Sequence, residues 1–577
     1  MGLLETLNND IKKILNGLGY DDNVEVTVSN RKDLGDYQYN GIMKIAGQNK
    51  VNPRELAEKV CNLLKENKTY KDVNIAGPGF INITFSNEAL IEFLNDTFKN
   101  FDNIKYKAPK KTIFMDYGGA NIAKELHVGH MRSANIGEAL KRLFNACNID
   151  TISDAHLGDW GKPMGLVMQE IKTRMPDLPY FDVNFEGEYP KESPVTAEDL
   201  ASIYPIASKK SKEDENYLNS AKELTVKLQQ KEKGTYALWQ HIRNTSLEDI
   251  KKTYKLLNTS FDLYYGESDS DKYVPEMIDY LNKNNYLEKS EGAEVIFVNK
   301  EDDNKTYPPL MVKMSNGGIG YDTTELATIY QRKKEYKFDE LLYLTDNRQD
   351  LHFEITFRAA KKCKIADEKM THISFGNICG NDGKPFKTRD GGVMSLNNLY
   401  SLVYDECYKK LSDNVKEEDK EDTARIISVA AIKYADLLPN RTSDYVFDPV
   451  RFSDLNGKTG PYLLYNTVRI NSIFSKIEGF EYKKYNNINT SVEREIILHI
   501  LELPNVLKRE VEDNLLNELC EYIFKLTNLY NSFYSDNYII SEADTSKKES
   551  WLVMSDVVLN TNKFILDILG MEVPKSM

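Results

Sequence analysis

Apolar residues recur at helical and strand-like spacings through the N-terminal part of the chain and predict a small α+β unit. Leu3–Leu18 carries apolar residues three or four positions apart and stops before Gly19, which predicts a helix. Val24–Val28 alternates apolar and polar residues, and residues 73–83 read as two short strands around a Gly-Pro-Gly turn. We therefore expect residues 1–105 to form an N-terminal α+β domain.

The pattern changes at Thr112–Tyr117, a mostly apolar run that predicts a buried strand. A glycine-bearing loop and a helical pattern over Gly129–Ala146 follow, and strand, glycine loop and helix in this order open an α/β nucleotide-binding fold. Leu341–Leu344 predicts another buried strand, whereas residues 176–290 are largely helical and polar and indicate an insertion, not a site. We expect residues 106–459 to form one Rossmann-like domain with helical insertions.

From about Gly460 the apolar spacing is helical to the end of the chain, and no repeat of fixed period interrupts it. The expected helices are Tyr465–Phe474, Val492–Leu503, Asn514–Phe533 and Val557–Leu569. We expect residues 460–577 to form a separate all-α bundle.

Composition narrows the protein class. The chain has 577 residues, 41% of them hydrophobic and 28% charged, which suits several buried cores and argues against intrinsic disorder. No apolar stretch approaches the roughly 18–20 residues of a membrane-spanning helix, and the N-terminus lacks a signal-peptide core. The six cysteines are scattered without a CxxC pair, so we expect a cytoplasmic protein with no membrane partner.

The net charge is −14, which by itself counts against binding to nucleic acid. This is a weak argument, because a phosphate backbone responds to the local field of a surface more than to the total charge. Charge therefore leaves the partner undecided.

Four of the seven histidines fall in three short clusters: His127 with His130, His156, and His352. The pattern His127-Val128-Gly129-His130 lies between a strand-loop and a predicted helix, where free backbone N–H groups and the helix dipole attract phosphate. Two imidazoles at that position would donate to phosphate oxygens as their charge grows, and Lys124 would add a full positive charge. The alternative is a structural turn with incidental histidines.

The segment Asn121–Ser133 resembles the HIGH-type signature of arginyl-tRNA synthetases, and His156–Gly161 resembles the next block of that family. An HxGH motif alone fits any class I synthetase and several nucleotidyltransferases. The lead-in Asn-Ile-Ala-Lys and the block His-Leu-Gly-Asp-Trp-Gly are much narrower.

Further blocks resemble the same family in the same order along nearly the whole chain. They are 35–37, 76–82, Tyr321–Ala327, Gln349–Phe353, Phe386–Gly392, Asp444–Asp448, Gly460–Leu463 and Leu569–Met571. The resemblance implies a class I synthetase with a Rossmann-like catalytic domain, an N-terminal domain that contacts the tRNA elbow, and an all-α anticodon-binding bundle. It implies that arginine is activated with ATP, with loss of pyrophosphate, and then transferred to the 3′ end of tRNA(Arg).

The resemblance also implies roles around ATP. His127 and His130 would hold the phosphates, and Gly129 would lie against the adenine. The second class I signature, usually KMSKS, is relaxed here, so Lys387 and Arg389 would be its phosphate-binding cations and Lys124 would replace the missing charge. Without the family, a basic surface loop would be the simpler interpretation. Mg²⁺ is expected only as the partner of ATP, with no metal site on the protein.

A guanidinium is planar, permanently charged and rich in donors, so its pocket needs carboxylates and other acceptors. By resemblance Tyr321 and Glu325 face the guanidinium from one helix face. Asp116, Asn121 and Gln349 would hold the α-amino and carboxylate end.

Two departures from the family lie near the substrate. Glu325 stands where aspartate is usual, and Gly119-Ala120 replaces Ser-Pro. The alternatives are therefore a class I enzyme for another small molecule, against which Asn121, Tyr321 and Gln349 argue, and a tRNA-binding paralogue without catalysis, against which the histidines argue. We further expect a monomer that activates arginine only after tRNA has bound.

Overall fold

The computed structural model describes residues 2–315, 317–380, 382–384, 394–413, 415–477 and 479–577. The chain divides into two compact units. One contains Met1–Ala108, Leu455–Ile568 and Glu572–Met577, and the other contains Pro109–Asp454 and Leu569–Met571.

The N-terminal segment of the first unit is α+β, as the spacing predicts. Its elements are α1 (Leu3–Gly17), β1 (Val26–Val28), β2 (Tyr37–Tyr39), α2 (Ile42–Asn49), α3 (Pro53–Lys65), β3 (Tyr70–Ala76), β4 (Phe80–Phe85) and α4 (Asn87–Lys99). The strands form an antiparallel sheet in the order β1-β2-β4-β3. One stripe of α1 is fully buried, at Leu3, Leu7, Ile11 and Leu15, which is the face that the spacing predicts.

The second unit is α/β. Its elements are β5 (Thr112–Asp116), α5 (Val128–Ala146), β6 (Asp150–Asp154), α6 (Lys162–Arg174), α7 (Ala197–Glu213), α8 (Glu215–Gln229), α9 (Lys233–Leu256), α10 (Glu267–Ser270), α11 (Val274–Lys283), β7 (Glu288–Ser290), β8 (Ala293–Ile296), β9 (Leu310–Lys313), α12 (Tyr321–Glu335), β10 (Glu340–Asp346), α13 (Asp350–Lys362), β11 (Lys369–Phe375), β12 (Ile378–Cys379), α14 (Leu396–Lys409), α15 (Lys420–Leu437), β13 (Tyr445–Val446) and α16 (Pro449–Phe452).

The central sheet of this unit is parallel, in the order β11-β10-β5-β6. The chain leaves β5 through α5 to β6 on one side and later places β10 on the other side of β5. The strand order therefore reverses between β5 and β10, and in open α/β sheets a ligand crevice forms beyond the carboxyl ends of the strands at such a point.

The C-terminal segment of the first unit is helical. Its helices are α17 (Gly460–Phe474), α18 (Ser491–Leu501), α19 (Leu503–Asp513), α20 (Asn517–Asp536) and α21 (Thr545–Ile568). The guanidinium of Arg494 pairs with both carboxylate oxygens of Asp36, at 2.7 and 2.8 Å, and so ties α18 to the N-terminal segment of the same unit. The functional boundaries at 105/106 and 459/460 stay a prediction.

No helix among the described residues is long and apolar enough to cross a membrane. All six cysteines are buried free thiols.

Candidate active site

A cleft of about 450 Å³ opens where β5 and β10 end. Most of the residues singled out from the sequence line it: Asp116, Asn121, His127, Gly129, His130, Tyr321, Glu325 and Gln349. Lys124 is not among the described residues that line this cleft. Lys387 and Arg389 lie outside the described residues.

His127 and His130 form the N-terminal cap of α5. Nδ1 of His127 accepts the backbone N–H of Gly129 at 3.1 Å, and Nδ1 of His130 accepts the backbone N–H of His127 at 3.1 Å. The two rings lie 3.9 Å apart between centroids. Because both Nδ1 atoms are acceptors, each neutral imidazole carries its proton on Nε2 and presents it as a donor.

The surroundings keep both imidazoles neutral. Burial, with help from His127 and Lys124, lowers the pKa of His130 to about 3. Desolvation, Lys124 and Arg348 also lower the pKa of His127. Two neutral donors at a helix N-terminus suit an anionic ligand, because the helix dipole adds to their attraction.

Two glycines of the cleft, Gly129 and Gly158, lie in close contact with the side chains of their neighbours. A Cβ at Gly129 would lie 2.9 Å from Cε1 of His127, and one at Gly158 would lie 2.2 Å from Oδ1 of Asn121. A side chain at either position would displace a residue of the cleft.

Beneath the cleft the carboxyl ends of β5 and β6 hold two buried acids, Asp116 and Asp154, which are neighbours in register. The guanidinium of Arg332, from α12, donates to both, at 2.6 and 2.9 Å. Burial opposes a charge on His156 beside them, but Asp154 and Asp116 outweigh that effect and raise the pKa of His156 to about 9. Burial also raises the pKa of Asp116, against the opposing effect of Arg332 and His156.

Asp116, Asp154 and His156 bring one ligand atom each to within 4.8 Å of one another. Arg332 already donates to both carboxylates, and a metal ion in the same place would repel the guanidinium. This cluster therefore does not fit a resident metal.

Two further carboxylates face the cleft. Glu325 is 5% exposed, and its Oε1 atom has no hydrogen-bond partner among the described residues. Glu267, which also lines the cleft, is buried enough to raise its pKa to about 7. The hydroxyl of Tyr321 is close enough to both carboxylates that burial and their charges raise its pKa. A buried carboxylate oxygen without a hydrogen-bond partner favours a cationic ligand.

The turn after β10 supplies the opposite wall. Gln349 ends a short 3₁₀ turn that Asp346 caps through its bond to the N–H of Arg348. Arg348 also lines the cleft and pairs with Asp346 through Nε at 2.7 Å.

Among the charged residues of this cleft, sequence reasoning missed Glu267, Arg348 and Asp346, and it did not identify His156 as a charged group. Glu267 comes from a distant turn, Tyr265-Gly266-Glu267, which a parallel bridge between Leu157 and Gly266 brings to the site. No local pattern marks that pairing. His156 belongs to a block named from the sequence, but its charge depends on Asp154, two residues earlier, and on Asp116, which only the folded sheet brings near.

Three models of known protein families match the chain. Residues 93–449 match the family model for the catalytic domain of class I tRNA synthetases (R), residues 4–85 match the arginyl tRNA synthetase N terminal domain, and residues 463–577 match the DALR anticodon binding domain.

Relatives match over the full length of both chains. The chain is 43% identical to the arginine–tRNA ligase of Alkaliphilus oremlandii and 39% identical to that of Francisella tularensis subsp. novicida, each covering 100% of both proteins. The solved arginyl-tRNA synthetase of Plasmodium falciparum superposes with a TM-score of 0.83 at 25% identity over 100% of this chain and 99% of that one. The Thermus thermophilus enzyme superposes with a TM-score of 0.80 at 19% identity over 100% of both chains and shares the fold.

The predicted fold class is confirmed by these matches. Alignment over the whole chain, with three domain models in the family's order, leaves one assignment: the chain belongs to the class I arginyl-tRNA synthetases, enzymes that use ATP to join arginine to tRNA.

Proposed function

We propose that the cleft at the ends of β5 and β10 is where this enzyme activates arginine and from which it passes the arginyl group to the 3′ end of tRNA(Arg). The observation that carries this proposal is the buried carboxylate of Glu325, whose Oε1 atom has no hydrogen-bond partner among the described residues, in the lining of the same cleft as two neutral imidazole donors. One end of the cleft thus suits a cation, and the other suits phosphate.

Arginine lies with its guanidinium between Glu325, Glu267 and Tyr321. The two carboxylates supply charged acceptors for the guanidinium donors, and such bonds are stronger than neutral ones. Asn121 and Gln349 orient the α-amino and carboxylate end, with Asp116 beside them. Asp116 does not serve the guanidinium, because Arg332 already donates to its Oδ2 at 2.6 Å.

ATP lies at the N-terminus of α5. Gly129 lets the adenine approach the backbone, and the Nε2–H groups of His127 and His130 donate to the phosphates. Lys124, Lys387 and Arg389 add positive charge there. Mg²⁺ enters with ATP and balances phosphate charge.

The arginine carboxylate attacks the α-phosphorus. The new P–O bond gives arginyl-adenylate, and the bond to the β-phosphate oxygen breaks with its electron pair, releasing pyrophosphate. The histidine donors stabilise the charge that grows on the leaving group. No side chain forms a covalent bond, so orientation and electrostatics supply the acceleration.

We propose that the tRNA spans the chain, with residues 1–105 at its elbow and residues 460–577 at its anticodon loop. The match of residues 463–577 to an anticodon binding domain supports the second contact. The enzyme works as a cytoplasmic monomer and activates arginine only when tRNA is bound.

The test is exchange of labelled pyrophosphate into ATP, with and without arginine and with and without tRNA. We expect exchange to require both. Exchange driven by another amino acid would overturn the assignment of the pocket, and equal exchange without tRNA would overturn only the requirement for tRNA.

A further inference from the structure

Lys124, the proposed catalytic lysine, does not extend freely into solvent. Its Nζ lies 4.3 Å from the ring centroid of Tyr204. Both side chains are half-buried. Tyr204 belongs to α7, in the helical insertion that the sequence does not mark as part of a site. An ammonium at this distance from a tyrosine face makes a cation–π contact.

The backbone before Lys124 is also held by the insertion. Ala123 has φ +58°, a left-handed conformation that residues with a side chain adopt at a cost. Its N–H donates to the hydroxyl of Ser246 at 2.9 Å, and Ser246 is a buried residue of α9. Helix α9 of the insertion thus stabilises the turn that precedes Lys124. Helix α7 of the insertion contacts the ammonium of Lys124.

Helix α7 is well anchored around Tyr204. Ile203 and Ala207 on either side of it are buried. Two turns further on, Lys210 donates to both oxygens of the buried Glu170, at 3.1 and 2.9 Å. Since Glu170 lies on α6, the ring of Tyr204 is presented from a fixed support.

We infer that Tyr204 is a positioning residue for Lys124, and that the ring holds the ammonium beside the N-terminus of α5 for contact with ATP phosphates. This inference rests on the proposed function, because it assumes that Lys124 serves ATP. The tyrosine face occupies one side of the ammonium, and within the described residues the ring of Tyr204 is the contact that the structure shows for it. A lysine has four rotatable side-chain bonds, so fixing it before ATP arrives removes part of the ordering cost of binding.

The position is electrostatically consistent with that role. Burial is the largest cause of the lowered pKa of His127 and of His130, and the charge of Lys124 also lowers both pKa values. The ammonium therefore already acts on both histidines while it rests on Tyr204.

The test is a double-mutant cycle on the full-length enzyme, with arginine-dependent pyrophosphate exchange measured against ATP concentration in the presence of tRNA. Tyr204→Leu should lower kcat/KM for ATP about 3- to 10-fold, the range that a cation–π contact of ordinary strength supports. Tyr204→Phe should restore most of that loss, and KM for arginine should stay unchanged. Ile206→Ala, at an exposed position of α7, is the matched control for damage to the helix.

In a Lys124→Met background, Tyr204→Leu should add no further loss. If the two losses multiply instead, or if Tyr204→Phe is as impaired as Tyr204→Leu, the positioning role is wrong while the proposed function stands. A gain in exchange with Tyr204→Leu would also overturn it. If Lys124→Met alone leaves exchange unchanged, then the proposed role of Lys124 is wrong and this inference falls with it.

Discussion

Arg332 of α12 donates to Asp116, the last residue of β5, at 2.6 Å, and both side chains are buried. The pair places a compensated charge directly under the cleft. In the proposed binding mode Asp116 is not available to the arginine guanidinium, because Arg332 already donates to it. The charge of the proposed guanidinium pocket comes from Glu325 and Glu267 instead.

The first prediction concerns this pair. Arg332→Met leaves Asp116 and Asp154 buried without their shared cation, so we expect the second unit to lose about 3–5 kcal/mol of stability. Scanning calorimetry should show a lower melting temperature for Arg332→Met. The decrease should be smaller for Arg332→Lys, because lysine keeps the positive charge but lacks the paired donors of a guanidinium. The control is Arg348→Met, whose side chain is 83% exposed. Equal melting of wild type and Arg332→Met would contradict the account.

The second prediction concerns the guanidinium pocket. Glu325→Gln keeps the shape of the side chain and removes its charge, so KM for arginine should rise about 30-fold, as expected for losing one charged hydrogen bond. Glu325→Asp keeps the charge and should bind arginine better than Glu325→Gln. Glu335→Gln, at the other end of α12, controls for the helix. An unchanged KM in Glu325→Gln would show that the guanidinium lies elsewhere.

The third prediction is a pH dependence. Burial raises the pKa of Glu267 to about 7, with His156, Asp159 and Glu325 as the charged groups near it. The ionised form binds the guanidinium, so affinity is complete above that pKa and falls as the carboxyl takes up a proton. We expect KM for arginine to rise as pH drops below about 7. Glu267→Gln should raise KM for arginine above about pH 7, leave it close to the wild-type value at low pH, and abolish the pH dependence of KM. A pH dependence that persists in this variant would assign it to another group.

The fourth prediction separates chemistry from binding. His130→Asn keeps a side-chain acceptor for the N–H of His127 and loses the Nε2 donor. Since one donor to a developing charge contributes about 100- to 1,000-fold, kcat for pyrophosphate exchange should fall by that factor with KM for arginine nearly unchanged. His241→Asn, in the insertion, is the control. A rise in KM for arginine without a change in kcat would show that His130 does not act on the phosphates.

Local pattern predicts those parts of the fold in which apolar residues alone define the element. β5, α5 and β10 follow from Thr112–Tyr117, Gly129–Ala146 and Leu341–Leu344 because these runs pack directly into the core. β6 was not predicted, because its sequence, Asp150–Asp154, is mostly polar. Its polar groups bond to residues that are distant in sequence: Asp262, for example, accepts the N–H of Ser153 at 2.8 Å.

The helical segment shows the same limit at element ends. The last helix begins at Thr545, not Val557. Its first six residues, Thr545–Ser550, are polar, and the buried apolar residues Trp551–Met554 already belong to the helix, so the predicted start is too late. The helix α19 was not foreseen. It starts at Leu503 with Pro504 in its first turn, a position where proline suits a helix start.

The candidate site was predictable where a motif keeps its residues close together in sequence. His127, Gly129 and His130 fall on one helix cap, and Tyr321 and Glu325 fall on one helix face. Glu267 and Tyr204 were not predictable, because each reaches the site from the insertion through contacts that no periodicity encodes. Lys124 was singled out from its place before His127 and from the family resemblance, but its ring contact with Tyr204 depends on the tertiary fold.

The most direct test of the central claim is aminoacylation of total tRNA by the purified enzyme, with each labelled amino acid supplied in turn. The account predicts that arginine alone is attached, and that Glu325→Gln lowers this charging at limiting arginine. Charging with a different amino acid would contradict the assignment of Glu325 and Glu267 to a guanidinium. Binding of tRNA without any charging would contradict catalysis itself.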